Sequence, residues 1–86
     1  MFIDIKDSEI TIAIIGLGYV GLPLALEFGR KFQTIGYDLN SDRVEQLKSG
    51  YDKNNEYDSE CLSHPEMLQF TAGKGSLKDC NIYIVT

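Results

Sequence analysis

Glycines in the spacing G-x-G-x-x-G, in Gly16-Leu17-Gly18-Tyr19-Val20-Gly21, follow the apolar, β-branched run Ile10 to Ile15 and precede a leucine-rich segment. At such a strand-to-helix junction each glycine has its own physical task. Gly16 permits a tight turn off the strand, Gly18 leaves the backbone bare for an anion to approach, and Gly21 lets the helix lie close to the sheet. The helix that starts there presents N–H groups without intrahelical partners and the positive end of its dipole, so the turn suits a pyrophosphate. Asp38 ends a second β-type run, Gln33 to Asp38, at the place where a carboxylate accepts hydrogen bonds from an adenosine ribose and repels a 2′-phosphate. Together these residues predict an NAD site rather than an NADP site. Arg43, on the first turn of the next helix, is placed to lie against adenine or ribose; the alternative is an exposed helix arginine. The candidate cofactor contacts are therefore Gly16, Leu17, Gly18, Tyr19, Val20, Gly21, Asp38 and Arg43, with no catalytic or metal-ligating residue.

The elements that must position these groups alternate along the chain. Ile10 to Ile15 reads as a central parallel strand covered on both faces. A helix follows from Val20 to about Lys31, with Pro23 near its start where a missing N–H does no harm. After the second strand, Asn40 or Ser41 caps a helix running to Lys48 that Gly50 stops. Tyr51 to Met67 is polar and acidic, with room for a short helix near Ser59 to Ser63 before Pro65. Leu68 to Thr71 predicts a third strand, Ala72 to Asn81 a crossover with one helical turn at Leu77 to Cys80, and Ile82 to Thr86 a fourth strand. The expected fold class is α/β, a partial Rossmann fold with about four parallel strands in the order 3-2-1-4 and helices mainly on one face. No internal repeat or linker is visible, so residues 1–86 are expected to be the N-terminal part of a single NAD-binding domain, with substrate and catalytic domains absent.

Composition narrows the function. The 86 residues carry a formal net charge of −5, which opposes attraction to nucleic acid or an anionic membrane, so a bound anion needs local donors. Cys61 and Cys80 form no CxxC and have one histidine, His64, for company in the whole sequence, so no zinc ligand set arises and both read as reduced, idle thiols. Gly73-Lys74-Gly75-Ser76 lacks the first glycine of a phosphate loop and reads as a turn. Neither a signal peptide nor a long apolar run is evident, and a soluble cytoplasmic protein is expected.

Ile14-Ile15-Gly16-Leu17-Gly18-Tyr19-Val20-Gly21-Leu22-Pro23-Leu24-Ala25, with Gly36-Tyr37-Asp38-Leu39-Asn40 and Arg43-Val44, closely resembles the UDP-glucose/GDP-mannose dehydrogenase family. Leu68 to Thr71 and Asn81 to Thr86 look most like its bacterial UDP-N-acetylhexosamine 6-dehydrogenases of surface-polysaccharide and capsule pathways, the Vi-antigen type included. The resemblance implies a two-step oxidation of a sugar C6 alcohol to the carboxylate with NAD, through a cysteine in a later domain. Neither Cys61 nor Cys80 matches that cysteine's motif, and the acid/base groups are expected beyond Thr86, so this chain alone is expected to be inactive and to retain NAD contacts only. Two rivals share the glycines: the cofactor domain of a β-hydroxyacid-type dehydrogenase, and a regulatory module that senses NAD or NADH without chemistry.

In the order 3-2-1-4 the right-handed connections put the first two helices on one sheet face and leave about ten residues to cover the other. Exposed apolar sheet surface and an unpaired edge along Ile82 to Thr86 are expected, with self-association through them.

Overall fold

The computed structural model describes residues 9–51, 59–63 and 65–86. Its centre is a parallel sheet of β1 (Thr11–Ile15), β2 (Gln33–Tyr37), β3 (Leu68–Thr71) and β4 (Ile82–Val85) in the spatial order β3-β2-β1-β4, as expected. Ile12 and Ile14 of β1 are 3% and 0% exposed and meet Leu22, Ala25 and Leu26 of α1 (Gly21–Phe28), Leu47 of α2 (Ser41–Lys48) and Leu62 of α3 (Ser59–Ser63). One core thus joins one face of β1 to the three helices. Burying each of the larger side chains contributes about 1.5–3 kcal/mol.

The register explains how a small sheet keeps its layers close. Ile14 pairs with Gly36 and Gly36 with Phe70, so these residues share the helical face. A Cβ on Gly36 would stand 3.1 Å from both Leu17 Cδ2 and Phe70 Cδ1, and its absence lets Leu17 sink into the core. The opposite face carries Ala13, Tyr37 and Tyr83, and there the connection into β4 is a 3-10 helix at Lys74–Asp79. The Tyr83 hydroxyl donates to the Leu77 carbonyl at 2.6 Å, fastening this connection to the sheet.

Several boundaries differ from the sequence reading. α1 stops at Phe28 rather than near Lys31, because Gly29 lies against β3: a Cβ there would sit 2.6 Å from Leu68 Cβ, and its N–H closes the helix on Ala25 O. The chain needs Arg30 to Phe32 for the turn into β2. The crossover helix spans Lys74–Asp79 rather than Leu77 to Cys80; its tight winding suits a short connection, and Cys80 is already extended. His64 and most of the acidic connection, 52–58, lie outside the described residues.

Among the described residues β4 pairs only with β1, and Ile82, Tyr83 and Val85 are 41%, 50% and 76% exposed. The exposed apolar edge expected from the topology is present. Cys80 is buried while Cys61 is exposed, and burial, followed by the negative charge of Asp79, pushes the Cys80 thiol up. Since the thiolate is the reactive form, Cys61 is expected to be alkylated by iodoacetamide at pH 7.5 at least about tenfold faster than Cys80; equal rates by mass spectrometry would contradict the packing around β4.

Candidate functional site: the glycine turn

The C-terminal ends of β1, β2 and β4 converge on the glycine turn. Gly16 N–H donates to Tyr37 O at 2.8 Å, Thr86 N–H to Ile15 O at 2.9 Å and Asp38 N–H to Thr71 O at 3.2 Å, so the sheet ladder extends past each strand end. In open α/β sheets this end of the strands forms the ligand crevice. Gly16 has φ +102°, a conformation costly for any residue with a Cβ, and a Cβ there would also meet Thr86 O and Oγ1 at 2.9 Å. At Gly21 a Cβ would lie 1.6 Å from Gly16 O, so the first turn of α1 rests directly on the turn that precedes it. Gly18 differs from both: nothing lies within 4 Å of where its Cβ would be. Two glycines are thus required by the protein's own packing, whereas Gly18 keeps a space empty.

Helix capping points the same way. α2 is capped by Asn40, whose side chain accepts from Asp42 N–H and Arg43 N–H at 3.0 and 3.3 Å, and Asp42 sits in its first turn. α1 begins at Val20 with no side-chain cap and no acidic residue in its first turn. Leu22 N–H already donates to Gly18 O at 3.1 Å and Pro23 has no N–H, so among the described residues the Gly21 N–H and the positive dipole end remain for an external anion. Tyr19 and Val20 stand out from the turn at 69% and 64% exposed.

Asp38 and Arg43 reach the turn, but not only as outward-facing ligand contacts. Asp38 Oδ2 accepts from Leu17 N–H and Oδ1 from Asn40 N–H, each at 2.9 Å. Each carboxylate oxygen has a further lone pair, so capacity remains for ribose hydroxyls. Arg43 is 5% exposed, and its Nε–H and Nη2–H donate to Leu17 O at 3.0 and 2.9 Å. It is therefore not an exposed helix arginine. Leu17 itself is 0% exposed, with its N–H on Asp38 and its carbonyl on Arg43, so it serves the turn by anchoring these two side chains.

Sequence reasoning misses Thr86, whose hydroxyl donates to Gly16 O at 2.9 Å and Ile15 O at 3.2 Å. The signal was in the topology: order 3-2-1-4 sets the end of β4 beside the end of β1. Among the described residues no three His, Cys, Asp or Glu side chains come together, and no helix is long and apolar enough to cross a membrane. A groove of about 440 Å³ between α2, α3 and β3, lined by Leu47, Leu62 and Phe70 among others, has Lys48 as its one ionisable side chain among the described residues.

The model of the UDP-glucose/GDP-mannose dehydrogenase family, NAD binding domain, matches residues 10–86. UDP-N-acetyl-D-glucosamine 6-dehydrogenase from Salmonella typhi is 51% identical over 79 residues, 92% of this chain and 19% of that protein. The enzyme of the same name from Pseudomonas aeruginosa is 44% identical over the same shares. Among solved structures, a UDP-D-ManNAc dehydrogenase from Pyrococcus horikoshii superposes with a TM-score of 0.79 at 30% identity, covering 90% of this chain and 20% of its own. The chain thus spans about a fifth of the length of the proteins it matches.

Proposed function

From the premise that this chain belongs to the UDP-glucose/GDP-mannose dehydrogenase family, as its NAD binding domain, we propose that its glycine turn holds NAD by the pyrophosphate and that Asp38 receives the adenosine ribose. The observation that carries this reading is the open space at Gly18 beside an uncapped α1. The donor chemistry fits a diphosphate and needs no lysine. NAD, when bound, supplies the hydride acceptor; the residues of this chain bind and orient it. Gly16, Gly18, Tyr19, Val20 and Gly21 form the phosphate side and Asp38 the adenosine side, while Arg43 and Leu17 serve the site from behind the turn, Arg43 by its two bonds to Leu17 O.

For the whole protein we propose NAD-dependent oxidation of the C6 alcohol of a UDP-sugar to the carboxylate. The names of the relatives in Salmonella typhi and Pseudomonas aeruginosa favour a UDP-N-acetylhexosamine and a role in surface polysaccharide synthesis. The family match favours this reading over a β-hydroxyacid-type dehydrogenase or an NAD-sensing module. Residues 1–86 are then the cofactor-binding part, acting in the cytoplasm, where reduced thiols such as Cys61 and Cys80 persist.

Asp38→Asn tests the ribose contact while keeping the bond from Leu17 N–H to the amide oxygen; the bond from Asn40 N–H is lost, because the second amide position is a donor. NADH affinity is expected to fall about tenfold and the preference over NADPH to narrow, by fluorescence titration of both cofactors. Unchanged NADH binding removes Asp38 from the site. The exposed edge of β4 is proposed to mediate self-association of the 86-residue chain. Val85→Lys should restore a monomer in light scattering; a parent chain that is monomeric at high concentration contradicts this.

A further inference from the structure

The packing of Arg43 gives it a task behind the glycine turn. A buried guanidinium that spends two donors on one main-chain carbonyl, Leu17 O, is committed to holding that peptide unit. The Leu17 carbonyl and the Gly18 N–H belong to the same trans peptide and point in opposite directions. Fixing the carbonyl toward Arg43 therefore fixes the Gly18 N–H pointing away from that guanidinium, at a residue whose Cβ would have no neighbour within 4 Å. Among the described residues the Gly18 N–H has no protein acceptor. The preceding peptide is held from both ends as well: Leu17 N–H by Asp38 Oδ2, and Gly16 O by the Thr86 hydroxyl.

We infer that Arg43 is a positioning residue that acts on the cofactor's pyrophosphate through the Leu17–Gly18 peptide, orienting and polarising the Gly18 N–H as an anion donor. This rests on the function proposed above and deepens it. A cation drawing on the carbonyl makes the N–H of the same unit a stronger donor, and the rigid fork prevents the peptide from flipping to present its oxygen to the phosphates. Asp38 and Arg43 grip the N–H and the carbonyl of one residue, Leu17, so the two peptides of the turn that flank it are both held.

The test compares ligand pieces and uses Arg43→Lys, which keeps the cation but loses the fork. Affinities of the parent and variant chains for ADP-ribose and for adenosine are measured by calorimetry, and the parent, labelled with ¹⁵N, is titrated with ADP-ribose in NMR. ADP-ribose affinity is expected to fall about tenfold in the variant while adenosine affinity stays within about twofold. In the parent the Gly18 amide is expected to move on titration and the Arg43 Nε–H to hold its position. Equal losses for the two ligands, no loss for either, or a titrating Arg43 Nε–H overturns the inference and leaves the proposed function standing. A parent chain that binds no ADP-ribose overturns both. If the variant fails to fold, the parent titration decides: Gly18 moving with Arg43 fixed supports the inference, and any other pattern overturns it.

Discussion

Gly18→Ala is expected to leave the chain as stable as the parent, or more stable by a few tenths of a kcal/mol, while NADH affinity drops at least about tenfold. The two effects separate because the added methyl meets no protein atom: nothing stands within 4 Å of it. Its φ is not in the left-handed region, where Gly16 and Gly50 lie, so alanine is accommodated there and reduces the entropy of the unfolded chain. The methyl instead enters the space assigned to the diphosphate, which must then move away from the N–H groups of the turn. Urea denaturation and NADH fluorescence titration on the same preparation check both halves. A variant that loses stability in step with affinity would show that Gly18 serves the fold and not a ligand.

Gly21→Ala has the opposite signature. The methyl would have to sit 1.6 Å from the Gly16 carbonyl oxygen and 2.7 Å from Thr86 Oγ1, and the nearer obstacle is main chain, which cannot rotate aside. α1 must lift from the turn, pulling Leu22 and Ala25, 1% and 0% exposed, from the core they share with Ile12 and Ile14. A destabilisation of about 3 kcal/mol is expected, a large share of the several kcal/mol that a domain of this size possesses. The urea midpoint should fall accordingly, and cofactor binding with it. An unchanged midpoint would contradict the close seating of α1 on the strand end. The pair therefore distinguishes a glycine required by packing from one required by a ligand, three positions apart in one motif.

That distinction was partly legible in the sequence. The run from Ile10 to Gly21, a β-branched stretch broken by glycines and followed by leucines, admits few folds, and the alternation of strands and helices after it dictated the order β3-β2-β1-β4. Asp38 was recognisable because it ends a β-type run at the proper distance from the turn. The partners of Leu17 were not recognisable. Periodicity assigns Arg43 to a helix but not its rotamer, and nothing local distinguishes a guanidinium that reaches solvent from one that folds back onto a carbonyl of another element. Leu17 looked like a loop residue with a ligand-facing role; only the missing Cβ of Gly36 makes room for its side chain in the core. The end of α1 was misplaced for the same reason, since Gly29 is set by its contact with Leu68 and not by helix propensity. Thr86 acts on residues about 70 positions earlier in the chain, and sheet order alone brings them together.

The central claim is that the turn from Gly16 to Gly21 is the seat of a diphosphate. Crystals of the chain soaked with ADP-ribose test it most directly. The account predicts diphosphate density at about 2.7–3.2 Å from the Gly18 main-chain nitrogen, with the adenosine ribose on Asp38 and the Arg43 guanidinium still on Leu17 O. Density for the ligand in the groove between α2, α3 and β3, with the glycine turn untouched, would contradict it.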